Sequence, residues 1–378
     1  MFIVPRLIGL SVYTFFLILF CLLISKAKDR QSLIYINLYL IVISVISFFF
    51  VPPQEFDLPR IIARMHFYAK FSFFELVKDW LVCQTPGERL YYWLIGQMKY
   101  DRLLQLISCF ISFFFCFSIL KDLVKKHLIP NTIISCVLAL FMARGLIMVA
   151  SSNIRTMFSL SIFSWCIYHE FINNRSAYKN IPFYVVAGSM HSMGQIVILL
   201  RVLFSFFEKR SSFGNKVKNY VIILVLIVIF GEYLSPLLGG VEDKAESYYL
   251  KSQNNSGYFY FWEGLLSAIS IVYTSVLLVW SNRLQNEVKE AYSSLLNFSK
   301  IAMVVNIFAA FYDFNLFSRM GYLLAIIDMP LGAIVFYQYE KCRCKFNGLF
   351  YCKIFVIVTY AIAASRGYLC SLKFFEEL

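Results

Sequence analysis

Charge is scarce in this chain: Asp, Glu, Lys and Arg make up 15% of its 378 residues, and hydrophobic residues make up 60%. A soluble domain of that composition would have too little polar surface to hydrate, which excludes soluble enzymes, disordered scaffolds and nucleic-acid-binding domains. Acidic residues are the scarcer sign, 22 against 35 Lys and Arg, and His occurs four times. Missing too are a Gly-x-x-x-x-Gly-Lys-Ser/Thr loop, a His-Glu-x-x-His pair, a Gly-x-Ser-x-Gly elbow and an Asp-x-Asp pair. ATP hydrolysis, zinc proteolysis, serine-hydrolase chemistry and a nucleotide-sugar metal site therefore have no support. No internal repeat, low-complexity tract or soluble domain is visible, and no metal or cofactor is expected.

What is present is a series of apolar runs, at about 7–24, 33–51, 103–120, 131–149, 156–172, 181–207, 220–238, 262–280, 299–313, 319–338 and 350–370, with mean hydropathy +0.69 over the chain. Runs of this length cross ~30 Å of hydrocarbon, where backbone polar groups must be satisfied within the segment, so they are helices. The expectation is an all-α polytopic membrane protein, one integral domain over residues 1–378. A single charge, Arg6, precedes the first run and no small-x-small cleavage site follows it, so it reads as a retained helix. Cys21, Cys109, Cys116, Cys136 and Cys166 lie inside apolar runs and read as buried thiols. Cys342, Cys344 and Cys352 flank a basic turn without a fourth metal ligand nearby.

Basic residues orient the bundle. Lys26, Lys28 and Arg30, then Lys121, Lys125 and Lys126, then Arg175 and Lys179 place three loops in the cytoplasm and the N-terminus outside. In the second half, Lys209, Arg210, Lys216, Lys218, Arg283, Lys289, Lys341, Arg343 and Lys345 oppose the fewer Lys244, Lys251, Arg319, Arg366 and Lys373. The two halves agree if the run 181–207 enters and leaves on the cytoplasmic side, as a hairpin of two half-helices with its apex at residues 188–194. That leaves about ten transmembrane helices plus the hairpin, which reads as the only broken run. Extracytoplasmic segments fall at about 52–102 and 239–262. Pro52, Pro53 and Pro59 are read as stopping regular structure after the second helix.

Four elements on the outer side then carry polar groups that are costly in lipid. They are Asp57, Arg60, Arg64 and His66 after the second run; Asn153 and Arg155; His191 and Ser192 at the hairpin apex; and Asp313, Asn315 and Arg319. Each has a plain alternative. Arg155 and Arg319 could snorkel to lipid phosphates, His191 could be a satisfied interior side chain, and Asp57 could cap a helix or pair with Arg60. Their convergence on one leaflet points to an anionic substrate, and Arg rather than Lys suits bidentate phosphate binding. Trp80, Tyr91, Tyr92 and Trp93 offer faces for sugar rings, although interfacial aromatic belts occur in membrane proteins of any function.

Asp57-Leu58-Pro59-Arg60, Asn153-Ile154-Arg155, Met190-His191-Ser192 and Ser318-Arg319-Met320-Gly321, in this order, resemble the Wzy-type repeat-unit polymerases of bacterial surface polysaccharides, in particular their EpsG-like branch. The resemblance runs from the first helix to about residue 338. It departs from the family at Ile61, where an aromatic residue is common, and at Thr156 and Phe158, where Gln and Ala often follow the central Arg. The resemblance implies glycosyl transfer at the outer face of the bacterial plasma membrane. A hydroxyl of an incoming polyprenyl-diphosphate-linked oligosaccharide attacks the anomeric carbon of the growing chain and expels polyprenyl diphosphate, without metal or nucleotide sugar. Catalytic roles then fall to His191, chosen as the base over Asp57 and His66, and to Arg155 and Arg319. Substrate contacts fall to Arg60, Arg64, Asn153 and Ser192. Partners would be the lipid-linked oligosaccharide, the bilayer, a chain-length regulator and a flippase. Two other classes fit an anionic amphipathic substrate: a flippase or other transporter, and a membrane O-acyltransferase acting on the same glycans.

Overall fold

Helices α1 (Ile3–Lys26) and α2 (Asp29–Phe48) show a burial pattern turned inside out relative to a soluble helix. On α2, Ile34, Leu38, Ile41 and Val45 are exposed at spacings of four, three and four, while Ser32, Ser44 and Ser47 are buried. The serines satisfy themselves locally: Ser44 donates to the Leu40 carbonyl at 2.7 Å and Ser47 to Ser44 at 2.7 Å. An apolar stripe facing outward is stable only where the surroundings are hydrocarbon.

The structure, a computed structural model, describes residues 3–51, 57–127, 129–207, 257–282, 284, 286–341 and 348–365, and the regular structure there is helical. After the second span come three short helices, α3 (Leu58–Tyr68), α4 (Phe73–Val82) and α5 (Pro86–Gly96). Then follow α6 (Asp101–His127), α7 (Asn131–Ala143), α8 (Leu146–Ser152), α9 (Ile154–Phe171), α10 (Ile181–Met190) and α11 (Ser192–Phe207). Beyond residue 256 lie α12 (Gly257–Ser281), the short α13 (Asn286–Ala291), α14 (Ser293–Tyr312), α15 (Phe314–Lys341) and α16 (Gly348–Ser365). Among the described residues six helices are long and apolar enough to cross a membrane, seven with the bent pair α7–α8. The others are shorter or less apolar, and α9 is largely buried among its neighbours. Nine of the ten expected spans thus appear as helices; the run 220–238 and most of the 239–262 loop lie outside the described residues.

Two expectations change. Residues 131–149 are not one helix but two, bent by 54° between Ala143 and Leu146, so the hairpin is not the only interrupted run. Pro59 does not stop structure: it sits in the first turn of α3, where an absent N–H costs nothing. The 52–102 segment is largely helical, and α4 opens with a capping box in which the Ser72 backbone N–H and hydroxyl donate to Glu75 at 2.7 and 2.8 Å. Those bonds hold the Glu75 carboxyl below its ordinary range.

Side-chain bonds define two ends of the bundle. At one, Asn131 donates to the Ala27 carbonyl (2.9 Å) and to Asp29 (3.1 Å), and Asp122 accepts from Tyr168 (2.9 Å) and Asn173 (2.7 Å). The loops bearing Lys26, Lys28, Arg30, Lys125, Lys126, Arg175 and Lys179 therefore gather at this basic end. At the far end Gln105 donates to the Phe50 carbonyl at 2.9 Å, and α3 and α5 pack Leu58, Ile61, Met65, Tyr92 and Ile95 against Leu104 of α6 and Ile154 of α9.

The run 181–207 is a hairpin. Glu170, at the basic end of α9, accepts hydrogen bonds from Asn180 (2.9 Å), Tyr184 (2.7 Å) and Arg201 (3.0 Å). One continuous helix would hold residues 181 and 201 about 30 Å apart. The chain instead reverses at His191, which is extended (φ −162°, ψ 146°), and Gly194 packs so tightly on the Ala187 backbone and the Ser159 hydroxyl that a Cβ there would overlap both.

Candidate anion-binding site at the far end

Pro86 starts α5, and the carboxylate of Glu88 in its first turn is turned inward rather than to solvent, 4% exposed. Arg155, in the first turn of α9, meets it: Nη1 donates to both Glu88 oxygens, at 3.0 and 3.1 Å. Arg64 of α3 donates to the same carboxylate at 3.5 Å, and the Thr85 hydroxyl at 2.9 Å. One buried carboxylate thus gathers two guanidinium groups from helices that are far apart in sequence. The buried Tyr92 hydroxyl, one turn along α5 from Glu88, has no hydrogen-bond partner among the described residues. Asp57 lies within electrostatic reach of Arg155 and forms an ion pair with Arg60, which is 69% exposed.

Arg155 spends only one nitrogen on Glu88. Its remaining donors make no bond among the described residues, and its side chain keeps 19% exposure. A guanidinium anchored at one corner with its other edge open is suited to a second oxyanion.

The hairpin apex lies beside this group. Gly87 backs onto Ser189, and Gln195 of α11 donates to the Gln84 carbonyl at 3.0 Å and to the Gly188 carbonyl at 3.1 Å. His191 is 5% exposed, and its Nδ1 accepts the Met193 N–H at 2.9 Å. A neutral ring with Nδ1 so engaged carries its proton on Nε2, which makes Nε2 a donor. Ser192 opens α11 and is partly exposed. Asn153 joins α8 to α9, its backbone N–H donating to Val149 (2.8 Å) and its carbonyl accepting from Met157 (3.1 Å).

Arg319 stands on a different element, the first turns of α15, and makes no ion pair among the described residues. Its neighbours form a cluster of their own, in which Glu263 of α12, 7% exposed, accepts from Ser318 at 2.5 Å and from Tyr322. His66 pairs instead with Asp101, at 2.5 Å on the surface. The structure therefore brings together Asp57, Arg60, Arg64, Arg155 and the hairpin apex, and it adds two carboxylates, Glu88 and Glu263, that the sequence reading passed over. The one sequence signal for Glu88 is its place after Pro86-Gly87, where an acidic residue reads as ordinary first-turn decoration.

No curated protein and no solved structure matches this chain. The sequence model of the EpsG family matches residues 87–372, which leaves Asp57, Arg60 and Arg64 outside the match and includes Glu88, Arg155, His191 and Arg319. With about three quarters of its length inside that match, the chain belongs to the EpsG family, a Wzy-like family of polysaccharide polymerases.

Proposed function

We propose that this protein joins polyprenyl-diphosphate-linked oligosaccharide repeat units into a surface polysaccharide at the outer face of the bacterial plasma membrane, with the far end of the bundle facing outward. The observation that carries the reading is the open edge of Arg155, anchored on Glu88 and accompanied by Arg64, at the end of the bundle opposite the basic loops. Loops rich in Lys and Arg stay in the cytoplasm, so the guanidinium cluster faces the compartment where lipid-linked repeats are displayed.

In this reading a hydroxyl of the acceptor attacks the anomeric carbon of the donor, the anomeric C–O bond to diphosphate breaks, and polyprenyl diphosphate leaves with the electron pair. Arg155, Arg64 and Arg319 stabilise the charge that grows on the leaving diphosphate, and Arg60, Asn153 and Ser192 supply further contacts. The hydroxyl proton goes to the Asp57 carboxylate, and the His191 ring, its Nδ1 held by the Met193 N–H, sits at the hairpin apex beside the site.

The test is reconstitution. Protein in liposomes, given a polyprenyl-diphosphate oligosaccharide and no nucleotide sugar, ATP or added metal, should yield a ladder of chain lengths. Translocation of the lipid without a ladder would sink the polymerase reading in favour of transport.

A further inference from the structure

Far from the residues described so far, a second ion pair is closed to solvent inside the bundle. Nη2 of Arg144 lies 3.1 Å from Oδ2 of Asp328, with side-chain exposures of 3% and 2%. The Thr274 hydroxyl stands 2.9 and 3.1 Å from the two Asp328 oxygens, and the Arg144 guanidinium lies 5.2 Å above the Tyr273 ring. Among the described residues Nε and Nη1 of Arg144 have no partner, so one hydrogen bond rather than a bidentate fork closes the pair.

Both helices that supply the pair are weak at this point. Arg144 ends α7, Gly145 adopts the left-handed conformation (φ 69°), and the chain turns by 54° into α8. On the other side Pro330, two residues after Asp328, sits inside α15 and removes a backbone donor from it. A buried ion pair often stabilises less than an apolar pair of the same volume, so this one is better suited to setting register than to adding stability.

That role follows from what lies above it. From Asp328, α15 climbs about 13 Å along its axis to Arg319. From Arg144, α8 climbs about 10 Å and turns through Asn153 into Arg155. We propose that Arg144 and Asp328 are positioning residues, a clamp that sets the height of Arg155 against Arg319 across the bent pair α7–α8 and the proline-bearing α15. The proposal rests on the roles given to those two arginines above.

Two arms test it separately. In the first, spin labels introduced as unnatural amino acids at 153 and 315 of the full chain report the distance between the two outer ends. The wild type should show one narrow distance. The double variant Arg144→Met/Asp328→Leu, which keeps volume and leaves no buried charge, should broaden it or move it by several ångströms, and Thr274→Val should do so to a smaller extent. Identical distributions in all three proteins overturn the clamp, whether or not the protein makes polymer.

In the second arm the double variant should lower kcat about 10–100-fold with a smaller change in KM, the expected effect of a misplacement of about 1 Å. Adding Arg155→Ala to it should then cost much less than in the wild type. Fully multiplicative losses, or a displaced distance with unchanged kcat, overturn the positioning role. A wild type that makes no polymer overturns the functional reading instead and leaves the distances to decide the clamp.

Discussion

Gly87 and Ser189 are in contact so close that a Cβ on the glycine would overlap the serine hydroxyl and crowd its backbone carbonyl carbon. The start of α5 and the tip of the hairpin are therefore one packed unit, and the residue that follows Gly87 is the carboxylate that holds Arg155.

Gly87→Val should push the hairpin tip away from α5 and lower polymer formation per folded molecule by about 10²-fold. Gly87→Ala should cost less, and Ser189→Gly should restore most of that loss by vacating the same space. A double-mutant cycle on polymer yield reads the coupling; additive losses would mean that the contact has no part in the site.

Glu88→Gln leaves Arg155 and Arg64 with uncompensated charge. Inorganic pyrophosphate should then bind at least about tenfold more tightly, since a like charge beside the anion has been removed. Inhibition of polymerisation by pyrophosphate, or its binding measured calorimetrically, checks the sign. Weaker binding would mean that Glu88 organises the arginines more than it competes with the anion.

Arg155→Ala should abolish long chains while leaving single lipid-linked repeats at the cell surface, because stabilisation of the leaving diphosphate fails and export does not. Arg155→Lys should rescue poorly, as an ammonium cannot hold Glu88 with one edge and a phosphate with another. Gel analysis of surface glycan in the two strains separates these outcomes.

His191→Gln keeps a donor near the position of Nε2 and should retain turnover to within about tenfold, whereas Asp57→Asn should lose ~10²–10⁴, the usual contribution of a positioned base. Turnover per folded molecule in reconstituted liposomes reads both variants. Loss of turnover in His191→Gln with near-normal turnover in Asp57→Asn would give the base role to His191.

Much of this architecture was legible because lipid enforces it. Hydrocarbon admits few backbone solutions, so the spans showed as apolar runs, and the count of Lys and Arg on either side required 181–207 to turn back, as Glu170 now shows by holding both of its legs. The candidate site was half legible. Arg155 and Arg319 stood out as charges at helix mouths, but their surroundings depend on partners that composition does not reveal. Glu88 is 67 positions from Arg155 and sits where a helix start often has an acid. Arg144 and Asp328 are 184 positions apart, Arg144 the one charge of its apolar run and Asp328 sharing its run only with Arg319 at the mouth, and neither changes the hydropathy of its run enough to be noticed. The bend at Gly145 was hidden for the same reason: a window averaged over a span does not register one left-handed residue.

The return of the chain at His191 also has an electrostatic consequence. Because α10 and α11 do not cross, α11 starts at the far end, as α9 and α15 do, with Ser192, Ile154 and Phe314 as their first residues. The positive poles of these three helices point to the same end of the protein, where the carbonyl ends of α2, α8, α10 and α14 oppose them. Had 181–207 crossed as one rod, that region would have met the middle of a helix, where peptide dipoles cancel along the axis. The hairpin instead sets an N-terminal pole, at Ser192, beside a C-terminal one, at Met190, so its apex carries a local dipole that does not titrate, in a medium of low dielectric that screens it poorly.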